Sequence, residues 1–251
     1  MEVALLQTNI VWENKAANLK RAGELIAALP GTVRIAVLPE MFNTGFSMHT
    51  GEIAEDANGE TVAWLTATAK RHNIAITGSI SCRHAGCCFN RLFFVFPNGS
   101  CRTYDKRHLF SYGREAEFYT AGKERLIVDY EGWRICPLIC YDLRFPLWSL
   151  NIGCAYDLLI YVANWPAVRR SAWNALLPAR AVENQAYVLG VNRTSPAEAL
   201  PEERCYAGDT QIVDFNGAVM ARAANHMDDV LIAGLDLDAL RRCREEFPVL
   251  A

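Results

Sequence analysis

Two cysteines four residues apart, Cys136 and Cys140, stand in the run GWRICPLICYDLRFPLW at 132–148. A thiol attacks as its thiolate, and an unperturbed pKa of about 8.5 leaves little of that form at neutral pH. A nucleophilic cysteine therefore needs a base, a neighbouring positive charge, or both. Cys140 sits where an apolar strand pattern stops, just before the turn YDLRFP. That position exposes the sulfur and lets the N–H of Tyr141 face a developing oxyanion. Cys136 shares its face by strand alternation but lies mid-strand, and it reads as packing. None of the five histidines falls in a recognisable Cys–His pattern. Glu40, directly after RIAVLP and before MFNTGF, is a carboxylate at the edge of an apolar strand, where burial would raise its basicity. On its own it would also read as a solvated loop glutamate. Lys106 follows the strand-like CRTYD in the same way.

The elements that must hold these residues alternate between two periods. VALLQ, RIAVLP, NIAITGSI, NRLFFVF, ERLIVDY, WRICPLIC, YDLLIYVA and AYVLGVN read as strands, rich in β-branched and aromatic residues. Several are apolar nearly throughout, as expected when helices cover one face of a sheet and a second sheet covers the other. The run at 14–31 puts Leu19, Ala22, Ile26 and Leu29 on one helical stripe and stops at Pro30–Gly31. ETVAWLTATAKRHN and RRSAWNALLPARAVENQ also read as helices, and Pro178 should kink or divide the latter. The tail reads as alternating again through DTQIVDF, AVMARA and DDVLIAGLDLDAL. The longest unpatterned stretches are 41–59, 106–122 and 194–206, and long loops of this kind are often functional. No linker or composition shift divides the chain, so residues 1–251 are expected to form one domain.

Composition narrows the classes. With 51% hydrophobic and 21% charged residues and a formal net charge of −3, nothing argues for nucleic acid or an anionic membrane. Basic pairs such as Arg169–Arg170 and Arg241–Arg242 read as solvated faces. The opening MEVALLQTNI is too short and lacks the basic start of a signal peptide, and no apolar run reaches the roughly 18 residues of a membrane span. A cytoplasmic location follows as the expectation. Of the nine cysteines, Cys82, Cys87 and Cys88 crowd with His84 in SCRHAGCC. A zinc site usually needs two separated ligand pairs, so a hairpin turn is the better reading and no metal is expected.

LPEMFNTGF around Glu40, YDKRHLF around Lys106 and ICYDLRFP around Cys140 resemble the carbon–nitrogen hydrolases of the nitrilase superfamily, each carrying one member of that family's Glu–Lys–Cys triad in order. ANWP, ARAVENQAYVLGVNR and YAGDTQIVDFNG extend the similarity over nearly the whole chain. PLICYDLRFPLW and the run from 161 to 188 look most like the omega-amidase branch, whose members hydrolyse the terminal amide of 2-oxoglutaramate or 2-oxosuccinamate. The resemblance implies an α/β fold, a four-layer αββα sandwich, cofactor-free chemistry and a homodimer or larger assembly. It implies Glu40 as base, Cys140 as nucleophile, Lys106 with the Tyr141 N–H as oxyanion holders, and a second glutamate after the lysine. Glu115 matches that last position better than Glu117. A nitrilase, an N-carbamoyl amino acid hydrolase or an aliphatic amidase would share the triad.

A substrate of the omega-amidase kind carries a distal carboxylate, for which the planar fork of an arginine is the natural partner. Arg107, Arg114 and Arg144 lie on the relevant loops, and Arg144 also fits a structural ion pair at a helix start. Trp165 and Phe42 follow strands near the site and are expected as apolar walls. Asp142 reads as a brace for the nucleophile turn, and Glu183 as a partner for Arg180.

Overall fold

The structure, a computed structural model, describes residues 1–198 and 205–250. Its strands are β1 (Glu2–Gln7), β2 (Val33–Val37), β3 (Glu55–Asp56), β4 (Ala75–His84), β5 (Cys87–Val95), β6 (Cys101–Asp105) and β7 (Val128–Tyr130). They continue with β8 (Trp133–Ile139), β9 (Leu158–Ala163), β10 (Tyr187–Asn192), β11 (Gln211–Val213), β12 (Val219–Arg222) and β13 (Asp229–Gly234). The helices are α1 (Lys15–Ala27), α2 (Thr50–Ile53), α3 (Glu60–His72), α4 (Pro146–Ser149), α5 (Arg170–Asn184) and α6 (Leu237–Glu246).

The strands form two mixed sheets, one ordered β13-β1-β2-β4-β5-β6 with β3 beside β4, the other β12-β11-β10-β9-β8-β7. Strand alternation explains how they stack. Val3 and Leu5 of β1, with Ile35 and Val37 of β2, join a core shared with Ile135, Leu158 and Leu189 of the second sheet. Ala4, Leu6 and Ala36 point the other way, onto Leu19, Ala22 and Ile26 of α1 and Leu65 and Ala69 of α3. On the far side of the second sheet, Trp173, Leu177 and Ala181 of α5 close the same core. The result is the αββα sandwich, with the central strands of both sheets covered on both faces. Each fully buried large aliphatic side chain contributes about 1.5–3 kcal/mol, so the two apolar layers dominate its stability.

Three local readings need correction. Pro178 lies inside α5 without dividing it, because the buried stripe Trp173, Leu177 and Ala181 carries the helix past the one hydrogen bond the proline cannot donate. The tail does not alternate to its end: β13 stops at Gly234, and Asp236 caps α6 by accepting the Ala239 N–H at 2.9 Å. ERLIVDY is strand only from Val128. SCRHAGCC does fold as a hairpin, with Ala85 and Gly86 both at positive φ, as a two-residue turn of type I′ requires. Cys87 and Cys88, adjacent on β5, face opposite sides. Part of the 194–206 loop, residues 199–204, lies outside the described residues. No helix among the described residues is long and apolar enough to cross a membrane.

Candidate active site

Strand ends from both sheets converge on one buried polar cluster. β8 runs straight into Cys140, whose φ of 45° breaks the strand and starts a tight 3-10 turn over Cys140–Arg144. A non-glycine residue at positive φ is strained, and such strain concentrates at functional positions. Lys106 is the first residue after β6 and donates its N–H to the Asn90 carbonyl at 3.0 Å. Glu40 follows β2 by three residues, and the Phe42 N–H bonds the Ser79 carbonyl at 3.2 Å to keep this segment on β4. Asn164 immediately follows β9.

Glu40, Lys106 and Glu115 are almost completely shielded from water. The Lys106 ammonium donates to Glu40 Oε1 at 2.8 Å and to Glu115 Oε1 and Oε2 at 3.1 and 3.0 Å. Asn90 Nδ2 bridges the same two carboxylates, at 2.7 Å to Glu40 and 3.0 Å to Glu115. The Phe110 N–H reaches Glu115 Oε2 at 2.6 Å, and the Asn164 N–H reaches Glu40 Oε2 at 2.8 Å. The Phe46 ring faces the ammonium, 5.1 Å from Nζ to its centroid. Burial by itself pulls the Lys106 pKa down, but the facing Glu115 and Glu40 carboxylates outweigh it and hold the ammonium charged well past its ordinary range. Burial pushes the Glu115 carboxyl up, with Lys106 opposing and Glu40 adding to the rise.

The Cys140 thiol is pushed well above its usual value, first by burial and then by the Glu40 carboxylate, with Lys106 pulling the other way. At rest Cys140 is thus held as a neutral thiol beside the Glu40 carboxylate. Asp142 braces this turn from beneath. Its carboxylate accepts the Ile139 N–H at 3.1 Å, the Tyr104 hydroxyl at 2.7 Å and the His108 N–H at 2.9 Å, and contacts the His108 ring at 2.8 Å. Through these bonds Asp142 ties the turn of Cys140 to the loop that follows Lys106. Glu183 pairs with Arg180 at 2.7 Å, away from the chemistry.

Above the cluster opens a cleft of about 580 Å³ whose floor holds Glu40, Lys106 and Cys140. Tyr141, Arg144 and Trp165 stand on its wall, together with Phe46, Phe110, Tyr112, Asn164 and Arg169. Phe42 does not. Its side chain is buried in the helix-facing core beside Leu38, with Trp64 of α3 at a centroid distance of 6.1 Å. Met41, at φ 41°, turns the chain sharply after Glu40, so the wall position falls to Phe46 instead. Arg107 bonds the Gly122 carbonyl at 3.2 Å and Arg114 pairs with Glu117, both off the cleft wall. Arg144 has no ion pair among the described residues and lies over the Trp165 ring at 5.2 Å.

Asn90, Asn164 and Arg169 belong to this site, though the sequence reading does not select them. Asn90 does carry a signal, a lone amide entering the apolar run RLFFVF, where a polar side chain must find buried partners. Arg169 carries none: it lines the cleft, while its neighbour Arg170 turns away to pair with Asp209 at 2.6 Å.

Residues 2–245 match the carbon–nitrogen hydrolase family. The chain is 43% identical over 251 residues to the omega-amidase YafV of Escherichia coli (strain K12), covering 99% of this chain and 94% of that one. It is 31% identical to a 2-oxoglutaramate amidase of Bacillus subtilis (strain 168), covering 98% and 95%. The solved structure of XC1258 from Xanthomonas campestris, a CN-hydrolase superfamily protein with an arsenic adduct in its active site, superposes with a TM-score of 0.95 at 39% identity, covering 100% and 96%. With its family match over nearly the whole length and its thiol, carboxylate and ammonium gathered at one cleft floor, this chain belongs to the carbon–nitrogen hydrolase family.

Proposed function

We propose that the protein is an omega-amidase, hydrolysing the terminal amide of a small 2-oxo dicarboxylic acid monoamide, 2-oxoglutaramate or 2-oxosuccinamate, to the acid and ammonia. The reading is carried by the buried Glu40–Lys106–Cys140 constellation at the floor of a cleft, in a chain whose full-length relatives include omega-amidases.

Glu40 accepts the Cys140 proton as the sulfur attacks the amide carbon, since the thiol is neutral at rest. The carbonyl oxygen gains negative charge and is met by the Lys106 ammonium and the Tyr141 N–H. That N–H lies at the start of the 3-10 turn, where backbone donors have no acceptor within the turn. Glu40 returns its proton to the departing nitrogen, the C–N bond breaks, and ammonia leaves a thioester on Cys140. Glu40 then takes a proton from water, whose oxygen attacks the thioester. The acid departs and the thiol is restored. Glu115 holds Lys106 in place throughout, through its two contacts at 3.1 and 3.0 Å. One hydrolase domain spanning residues 1–251, a cytoplasmic location and a homodimer or larger assembly belong to the same proposal.

The test is ammonia release from 2-oxoglutaramate by the parent and by Cys140→Ala, beside a nitrile and an N-carbamoyl amino acid. Release by the parent alone supports both nucleophile and reaction. Turnover of only the nitrile or the carbamoyl compound would overturn the omega-amidase reading.

A further inference from the structure

The chain carries a formal charge of −3, yet two guanidinium groups on the cleft wall, Arg144 and Arg169, have no carboxylate partner among the described residues. Most other arginines of the fold are satisfied by acids or carbonyls; Arg170, the very next residue, forms a bidentate pair with Asp209 at 2.9 and 2.6 Å. Of the two on the wall, Arg144 is exposed, whereas Arg169 is partly buried. The Arg169 guanidinium stands over the Tyr112 ring at 4.8 Å and the Phe110 ring at 5.6 Å, and both rings line the cleft. Its backbone is pinned as well, because Trp165 Nε1 donates to the Arg169 carbonyl at 2.8 Å. Ring faces fix the position of a guanidinium but accept none of its in-plane N–H bonds. What remains is a pre-placed fork of donors, partly desolvated, lining the same cleft as Cys140.

We infer that Arg169 is the specificity-determining residue that binds the distal carboxylate of the substrate, so that the enzyme selects anionic over neutral amides. This rests on the omega-amidase reading for the identity of the substrate. A carboxylate matches the fork bidentately, and anchoring it there fixes which end of the molecule reaches the thiol. Arg144, over the face of Trp165, adds positive potential at the mouth of the same cleft.

The test compares kcat/KM for three amides of equal chain length. They are 2-oxoglutaramate, glutaramate (which keeps the carboxylate but lacks the 2-oxo group) and neutral pentanamide. The parent should prefer the anionic amides over pentanamide by about 100-fold or more, and Arg169→Met should shrink that ratio by at least about thirtyfold, chiefly through KM of the anionic substrates. Arg169→Lys should fall between, since an ammonium keeps the charge but not the fork. If Arg169→Met depresses all three amides equally, the arginine only holds the Phe110–Tyr112 loop and the inference is overturned. It is overturned as well if the preference survives in Arg169→Met or if the parent favours pentanamide. Should the parent cleave glutaramate but not 2-oxoglutaramate, with the preference lost in Arg169→Met, the omega-amidase reading falls and the role of Arg169 stands. A parent inactive on all three overturns both.

Discussion

Cys136 and Cys140 are four residues apart, both buried, and both have thiols pushed upward by burial, that of Cys136 to about 12. Neither is a ready thiolate. What separates them is company. Around Cys136 are apolar side chains on the α5-facing side of the second sheet, such as Leu138 and Leu159. Cys140 breaks out of the strand at positive φ beside a carboxylate, an ammonium and a cleft. Under the proposed mechanism, Cys140 becomes a nucleophile through an adjacent base that removes the proton during attack, not through a thiol depressed in advance.

Substitutions can break this comparison. Cys140→Ala should lower kcat on the order of 10⁴-fold or more, measured by ammonia release, while leaving the fold intact by circular dichroism. Lys106→Met should be the most costly change to stability, since it strands two buried carboxylates without a cation; urea unfolding should show a loss of about 3–5 kcal/mol at neutral pH. The sign with pH follows from the charges. Without Lys106 the Glu115 carboxyl is pushed further up, so the deficit should shrink as the pH is lowered and it takes a proton.

A subtler test separates base from neighbour. Glu40 raises the Cys140 pKa, so Glu40→Gln should move the midpoint of Cys140 alkylation by iodoacetamide to lower pH, although the variant loses amide turnover. A midpoint that stays put or rises would show that Glu40 does not act on the thiol. Smallest of all, Cys136→Ala should cost about 1 kcal/mol for the cavity and leave kcat unchanged, as a packing residue should.

The strand ends were legible in the sequence because the apolar runs that stop before Glu40 and at Cys140, and the strand-like CRTYD before Lys106, announce their own edges. So were the helical stripe of α1 and the hairpin at Ala85–Gly86, since periodicity and turn chemistry are local. Local pattern failed where a distant surface decided the outcome. Phe42 and Phe46 are both aromatics following Glu40, and only the turn at Met41 sends one to the helix-facing core and the other to the cleft. Pro178 stays within a continuous helix because its neighbours pack on the second sheet.

The sequence by itself determined the chemistry available: one thiol at a strand end, a carboxylate and an ammonium at two others, and the alternation that stacks two sheets between helices. Only the tertiary structure decided which side chains share space. It set one ammonium between two carboxylates, recruited Asn90 and Asn164 to hold them, and turned Arg169 into the cleft while Arg170 turned to Asp209. The physical reason is that burial and charge pairing depend on three-dimensional distance, which sequence separation does not encode: the Asn164 N–H that holds Glu40 comes from 124 positions along the chain.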